Sequence, residues 1–242
     1  MSSNRQIPGR TSVKPAEPVT LKETRFEAGK TAGVVSALLM LPRKANWLLV
    51  FAHGAGAGMR HTFMGQACAM LAAEGIATFR YQFPYMEKGS RRPDLKPILF
   101  ATVRSAVSAA ARMSGGLPLL AGGKSMGGRM TSLASAEEPL EKVQGIVFVG
   151  FPLHPAGQPS SDRAAHLHDV MTPMLFLQGT RDTLADLTLL KPVCRKLGSR
   201  ATLHIVKGAD HSFHVLKSSG TTDGEVLREL ARTTRTWADS LG

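Results

Sequence analysis

Apolar residues in this chain gather into short unbroken runs. Trp47–Ala52 (WLLVFA), Leu117–Ala121, Ile146–Phe151 (IVFVGF) and Met174–Gln178 (MLFLQ) read as strands buried on both faces. Ile76–Phe83 and Thr202–Val206 read as further strands. Thr20–Phe26 alternates as an edge strand would, and Gly33–Leu41 reads as a second strand ended by Pro42. Helices are expected between these runs. They cover Thr62–Ala73, stopped by Gly75, and Leu95–Met113, with Asp94 as cap and Pro97 in the first turn. Others cover Arg129–Glu138, a short Ser160–Asp169, Leu187–Leu197, and Glu225–Leu241 capped by Thr222 or Asp223.

Strands alternating with helices predict an α/β fold: a doubly wound, mostly parallel sheet with helices on both faces. Ligands of such sheets sit beyond the carboxyl ends of the strands. Residues 1–19 are polar, carry Pro8, Pro15 and Pro18, and are expected to form a mobile arm. Residues 20–242 are expected to form one domain. The stretch between Phe151 and Met174 has room for a short excursion only, so any cap is minimal.

Composition narrows the field. A chain of 242 residues with 43% hydrophobic content suits a globular α/β domain with a large core. The formal charge of +12 implies a solvated basic surface. No recognition helix, aromatic–basic interleaving or basic repeat accompanies it, so nucleic acid is not the expected partner. No apolar run approaches the ~20 residues of a membrane helix. The polar opening is read as lacking a secretory signal. Two distant cysteines, Cys68 and Cys194, read as free thiols in a reducing, cytoplasmic compartment.

The candidate chemistry centres on Gly123-Lys124-Ser125-Met126-Gly127, a Gly-x-Ser-x-Gly pattern between a strand and a helix. That is the setting of a nucleophile elbow. Two other readings fail. A P-loop would need a glycine at Pro118, and the dinucleotide fingerprint starting at Gly54 would need one at Met59. A serine nucleophile needs a base, and the base needs a carboxylate. Asp182 follows the MLFLQ run and His211 follows Thr202–Val206. Asp186 is a rival acid and His214 a rival base. Asp210 reads as a turn-former, and His53 as a brace for the glycine loop behind it. His166 and His168 lie two apart on a short helix and face different ways, so no metal site is expected.

The order Ser, Asp, His is that of α/β-hydrolases. The chain resembles an α/β-hydrolase of the dienelactone-hydrolase-like kind. It is especially similar to a small family of hydrolase-like proteins in its motifs at Phe51–Gly56, Gly123–Arg129, Gly150–Pro155, Gln178–Asp182 and Gly208–Phe213. That family also resembles a subunit of a eukaryotic chromatin acetyltransferase complex. A non-catalytic interaction module, with a protein partner, is therefore the competing reading. The resemblance implies a serine hydrolase acting on an ester or related acyl bond of a small molecule, without a cofactor. Ser125 would be nucleophile, His211 base and Asp182 its orienting acid. The N–H of Met126 and that of Ala55, with Gly56 second, would form the oxyanion hole. His154, Arg91 and Arg92 are candidates for contacting substrate, and the basic loop with Lys88, Arg91 and Arg92 reads equally as a pocket rim favouring an acidic one or as a solvated loop.

Overall fold

The computed structural model describes residues 19–30 and 32–241. The expected arm lies outside them, apart from Val19. Eight strands form one sheet: β1 (Val19–Glu27), β2 (Val34–Pro42), β3 (Trp47–Ala52), β4 (Ile76–Tyr81), β5 (Leu119–Lys124), β6 (Val143–Val149), β7 (Met174–Gly179) and β8 (Ala201–Val206). Their spatial order is β1-β2-β4-β3-β5-β6-β7-β8. β2 runs antiparallel to both β1 and β4, and every pair from β4–β3 onward is parallel. The expected mostly parallel sheet is present.

The order reverses at β3. From β3 the chain steps to β4 on one side, then crosses to β5 on the other. The carboxyl ends of β3 and β5 therefore flank the topological switch point, where the crevice of an open α/β sheet opens. The loop starting at His53 and the turn at Ser125 both leave the sheet there.

Each residue of β3, β4, β5 and β7 is buried, as continuous apolar runs require. Helices α1 (Thr62–Ala73), α2 (Pro84–Glu87), α3 (Lys96–Met113), α4 (Met126–Glu137), α5 (Leu187–Leu197) and α6 (Asp223–Asp239) connect and cover the strands. One apolar cluster joins β3, β5 and α3 through Val50, Ala121 and Val103. Another joins β3, α1 and α6 through Leu49, Cys68 and Leu230.

Three local expectations are corrected. Asp94 does not cap α3: the helix starts after Leu95 with no side-chain cap. Its carboxylate instead accepts the Tyr85 N–H at 2.7 Å and secures α2, a turn that proline and loop signals hid. The segment expected as a helix over Ser160–Asp169 is a 3-10 helix over Asp162–Asp169. And β5 does not stop with the apolar run at Ala121: it runs to Lys124, and α4 begins at Met126. Ser125 alone makes the turn.

Candidate active site

The turn is sharp because the backbone on either side is packed too closely for side chains. A Cβ on Gly123 would sit 2.6 Å from the Ala52 carbonyl oxygen, and one on Gly127 2.6 Å from those of Ala52 and His53. Between them Ser125 adopts φ 51° and ψ −118°, a conformation that costs an L-residue energy. The strain is held by two backbone bonds. Ser125 N–H donates to Val149 at 3.1 Å, and the Ser125 carbonyl accepts from Arg129 N–H at 3.2 Å.

Two later strand ends deliver their side chains to this serine. His211 Nε2 lies 2.8 Å from Ser125 Oγ. His211 Nδ1 lies 2.8 Å from Asp182 Oδ2. Because a carboxylate faces Nδ1, that nitrogen carries the proton, and Nε2 presents its lone pair to the serine hydroxyl. Asp182 is held from both sides. Its Oδ1 accepts the Leu184 N–H at 2.8 Å, and its Oδ2 accepts from Gln178 Nε2. Gln178 is oriented in turn by accepting the Phe151 N–H at 3.0 Å. Nothing in the sequence singles out Gln178 by itself, although it belongs to the Gln178–Asp182 motif.

The rival residues have other partners. Asp186 caps α5, accepting the Thr188 N–H at 2.7 Å. Asp210 accepts the N–H groups of Ser212 and His214 at 2.8 and 3.0 Å, and so shapes the loop that carries His211. His214 pairs with Asp223 at 2.8 Å, and that carboxylate raises its pKa. A second serine–histidine pair also exists: Ser132 Oγ lies 2.8 Å from His166 Nε2. Ser132 is fully buried, and no carboxylate bonds the other nitrogen of this imidazole, which turns to the Arg163 backbone. Burial first, then the nearby Arg129, hold the His166 pKa down at about 4. This pair ties α4 to the 3-10 segment.

The loop after β3 lies against the turn, since a Cβ on Gly54 would stand 3.7 Å from that of Ser125. His53 braces it. Its Nδ1 donates to the Gly54 carbonyl at 2.8 Å, and its Nε2 accepts the Phe83 N–H at 3.1 Å. Burial lowers the His53 pKa to about 4, so the ring stays neutral in this role. Among the described residues, the N–H groups of Met126 and Ala55 meet no acceptor. Met126 N–H also heads α4, where the helix dipole favours negative charge.

The family pattern of the α/β hydrolase domain matches residues 45–239. This chain belongs to the α/β-hydrolase family. Solved structures agree on the fold. A dienelactone hydrolase from Anabaena variabilis is 21% identical, with a TM-score of 0.70 over 90% of this chain and 96% of that one. XC6422 from Xanthomonas campestris, described as a serine hydrolase without a lid, is 19% identical, with a TM-score of 0.69 over 94% and 98%. The esterase Est22 is 15% identical, with a TM-score of 0.71 over 90% and 79%.

Within this α/β-hydrolase frame, Lys124 occupies an unusual place. It ends a fully buried strand, and its Nζ is buried with no hydrogen-bond partner. The rings of Phe63 and Phe213 each lie 5.8 Å from it. Burial lowers its pKa to about 8, against the pull of Asp182 and Asp210. Among the described residues, the remaining candidates form no hydrogen bond with the Ser125 group. His154 is buried, with Nδ1 bonded to the Pro155 carbonyl and Nε2 accepting the Asp186 N–H, both within 2.9 Å. Both ring nitrogens of this expected substrate contact are therefore taken by backbone groups. Arg91 and Arg92 are exposed, and no hydrogen bond or ion pair joins them to Ser125, His211 or Asp182. Among the described residues no cluster of three or more metal-ligating side chains occurs, and no helix is long and apolar enough to cross a membrane.

Proposed function

We propose that this α/β-hydrolase is a serine hydrolase that cleaves an ester or related acyl bond of a small molecule. The observation that carries the proposal is the unbroken chain from Ser125 Oγ through His211 to Asp182, each link 2.8 Å. In this reading His211 Nε2 takes the Ser125 proton as Oγ attacks the acyl carbon. The N–H groups of Met126 and Ala55, with Gly56 as a further donor, receive the oxyanion. His211 then protonates the leaving group, and a water activated by the same imidazole releases the acyl group from Ser125. Asp182 holds the ring tautomer and stabilises the imidazolium. The short excursion between β6 and β7 supports an open site.

Membership of the hydrolase-like group that shares the Gly123–Arg129 motif is part of this proposal and rests on the motifs alone. The two buried free thiols, Cys68 and Cys194, support a cytoplasmic setting. Labelling with a fluorophosphonate probe, wild type against Ser125→Ala, tests the reading together with a panel of short p-nitrophenyl esters. Labelling and turnover confined to the wild type are expected. Equal labelling of both proteins, or none of either, rejects the assignment and leaves the interaction module as the better reading.

A further inference from the structure

The first turn of α4 opens along one line. Ser125, Met126 and Arg129 are half-buried there, whereas Gly127, Gly128 and Met130 are buried. Arg129 is the cation on this line, one turn beyond the serine. Arg129 and Ser132 lie three apart on α4 and share a face. Ser132 reaches His166 on the facing 3-10 segment at 2.8 Å. Residues three apart eclipse on a 3-10 helix, so Arg163 stands over His166 as Arg129 stands over Ser132. The two guanidinium groups lie within Coulombic reach of each other. Burial first, then Arg163, lower the Arg129 pKa. Lys96, the first residue of α3, acts on the same His166 as Arg129 does.

No acid answers these charges. Among the described residues none of Lys96, Arg129 and Arg163 is in an ion pair, and Arg129 Nε is buried without an acceptor. Asp169 is within Coulombic reach of His166 but pairs with His168 at 3.1 Å. Asp162 is exposed and joins no ion pair. Arg129 and Arg163 are half-buried and Lys96 is exposed, and like charges near one another at a half-buried site are costly unless an anion lies between them.

We propose that Arg129, Arg163 and Lys96 form a subsite for the carboxylate or phosphate group of a ligand that enters at Ser125. Guanidinium forks are suited to a planar or tetrahedral oxyanion. Arg129 lies four residues beyond Ser125, about 6 Å along the helix axis. A short half-ester of a dicarboxylic acid spans that distance with its acyl carbon at the serine. The assignment to substrate rests on the serine-hydrolase reading; the subsite itself does not.

Inorganic phosphate, exchanged against chloride at constant ionic strength, is the first probe. The wild type is expected to show a saturable rise in Tm. Arg129→Gln and Arg163→Gln are expected to flatten it. Arg112→Gln, in the last turn of α3, is expected to keep it. Equal rises in all four proteins overturn the subsite. The second readout is kcat/KM for two ester pairs that differ by one acid group: the p-nitrophenyl monoester of glutaric acid against p-nitrophenyl valerate, and 4-acetoxybenzoate against phenyl acetate. In at least one pair the acid-to-neutral ratio should fall about tenfold in the Arg129 and Arg163 variants, the worth of one charged hydrogen bond, and hold in Arg112→Gln. Ratios unchanged in both pairs overturn the substrate assignment. A wild type that cleaves no ester sinks the hydrolase reading, while the phosphate titration still decides the subsite.

Discussion

The Nζ of Lys124 lies 5.8 Å from the ring of Phe213, and this aromatic face stands in place of the hydrogen bond the ammonium lacks. The contact joins two loops of the site. Lys124 directly precedes Ser125, and Phe213 sits two residues beyond His211. Phe213 itself is held at φ 61°, a strained value for an aromatic residue.

This arrangement makes the fold sensitive to pH. Burial lowers the Lys124 pKa from 10.5 to about 8 in the folded protein. Between those values the unfolded chain keeps a proton that the folded chain has lost, so the contribution of this group to stability rises with pH. Below pH 8 the buried charge costs up to about 3 kcal/mol, partly offset by roughly 1–2 kcal/mol of cation–π attraction. Lys124→Met should therefore raise Tm at pH 7, and the gap to wild type should narrow by pH 10. Melts at the two pH values test this; a variant less stable than wild type at pH 7 contradicts it.

Asp182 and Asp186 should separate cleanly. In Asp182→Asn the amide can no longer hold the proton on His211 Nδ1. A fall in kcat of about 10³–10⁴ with little change in KM is expected. Asp186→Asn keeps an oxygen for the Thr188 N–H and so keeps its cap. Its kcat should stay within about twofold of wild type. Steady-state kinetics on one short ester decide the matter, and equal losses in the two variants would show the acid to be misassigned.

Ser125, Asp182 and His211 are legible in the chain because each comes shortly after an apolar run, and a buried parallel strand must deliver its exit loop to one edge of the sheet. Topology then brings them together. The features that are not legible depend on which distant segments meet. Gln178 looks like the last residue of a strand until Phe151 turns its amide toward Asp182. His154 looks available until two backbone groups take its ring. The end of β5 is misread because glycines usually close a strand; here Gly123 remains within it because Ala52 approaches so closely. The cation group at Arg129 and Arg163 needs the 3-10 segment to be seen against α4.

The glycines of the elbow should be intolerant where others are not. A Cβ at Gly127 would meet two carbonyl oxygens at 2.6 Å, and both belong to the end of β3 and the residue after it, which cannot yield. Gly127→Ala should cost several kcal/mol, on the order of the larger core substitutions, or abolish folding. Gly224 in the first turn of α6 has nothing within 4 Å of its would-be Cβ, and Gly224→Ala should be neutral or stabilise by up to about 1 kcal/mol. Urea denaturation of both variants measures the contrast, and similar losses would refute the packing argument.

His53 ties acid stability to the loop beside Ser125. Its pKa falls from 6.5 to about 4 because burial disfavours the imidazolium, while the bond to Gly54 opposes the shift. The unfolded chain therefore binds a proton between those values that the folded chain refuses. The stability this group contributes is full above pH 6.5 and is lost as pH falls to about 4. The loss is worth up to about 3 kcal/mol. His53→Gln can still donate to Gly54 and accept from Phe83, but it cannot titrate. It should keep most of the kcat, while His53→Leu leaves the Phe83 N–H unpaired and should lose about tenfold or more. Unfolding free energies at pH 7 and pH 4.5 should differ less in His53→Gln than in wild type. An unchanged difference would mean that the acid sensitivity arises elsewhere.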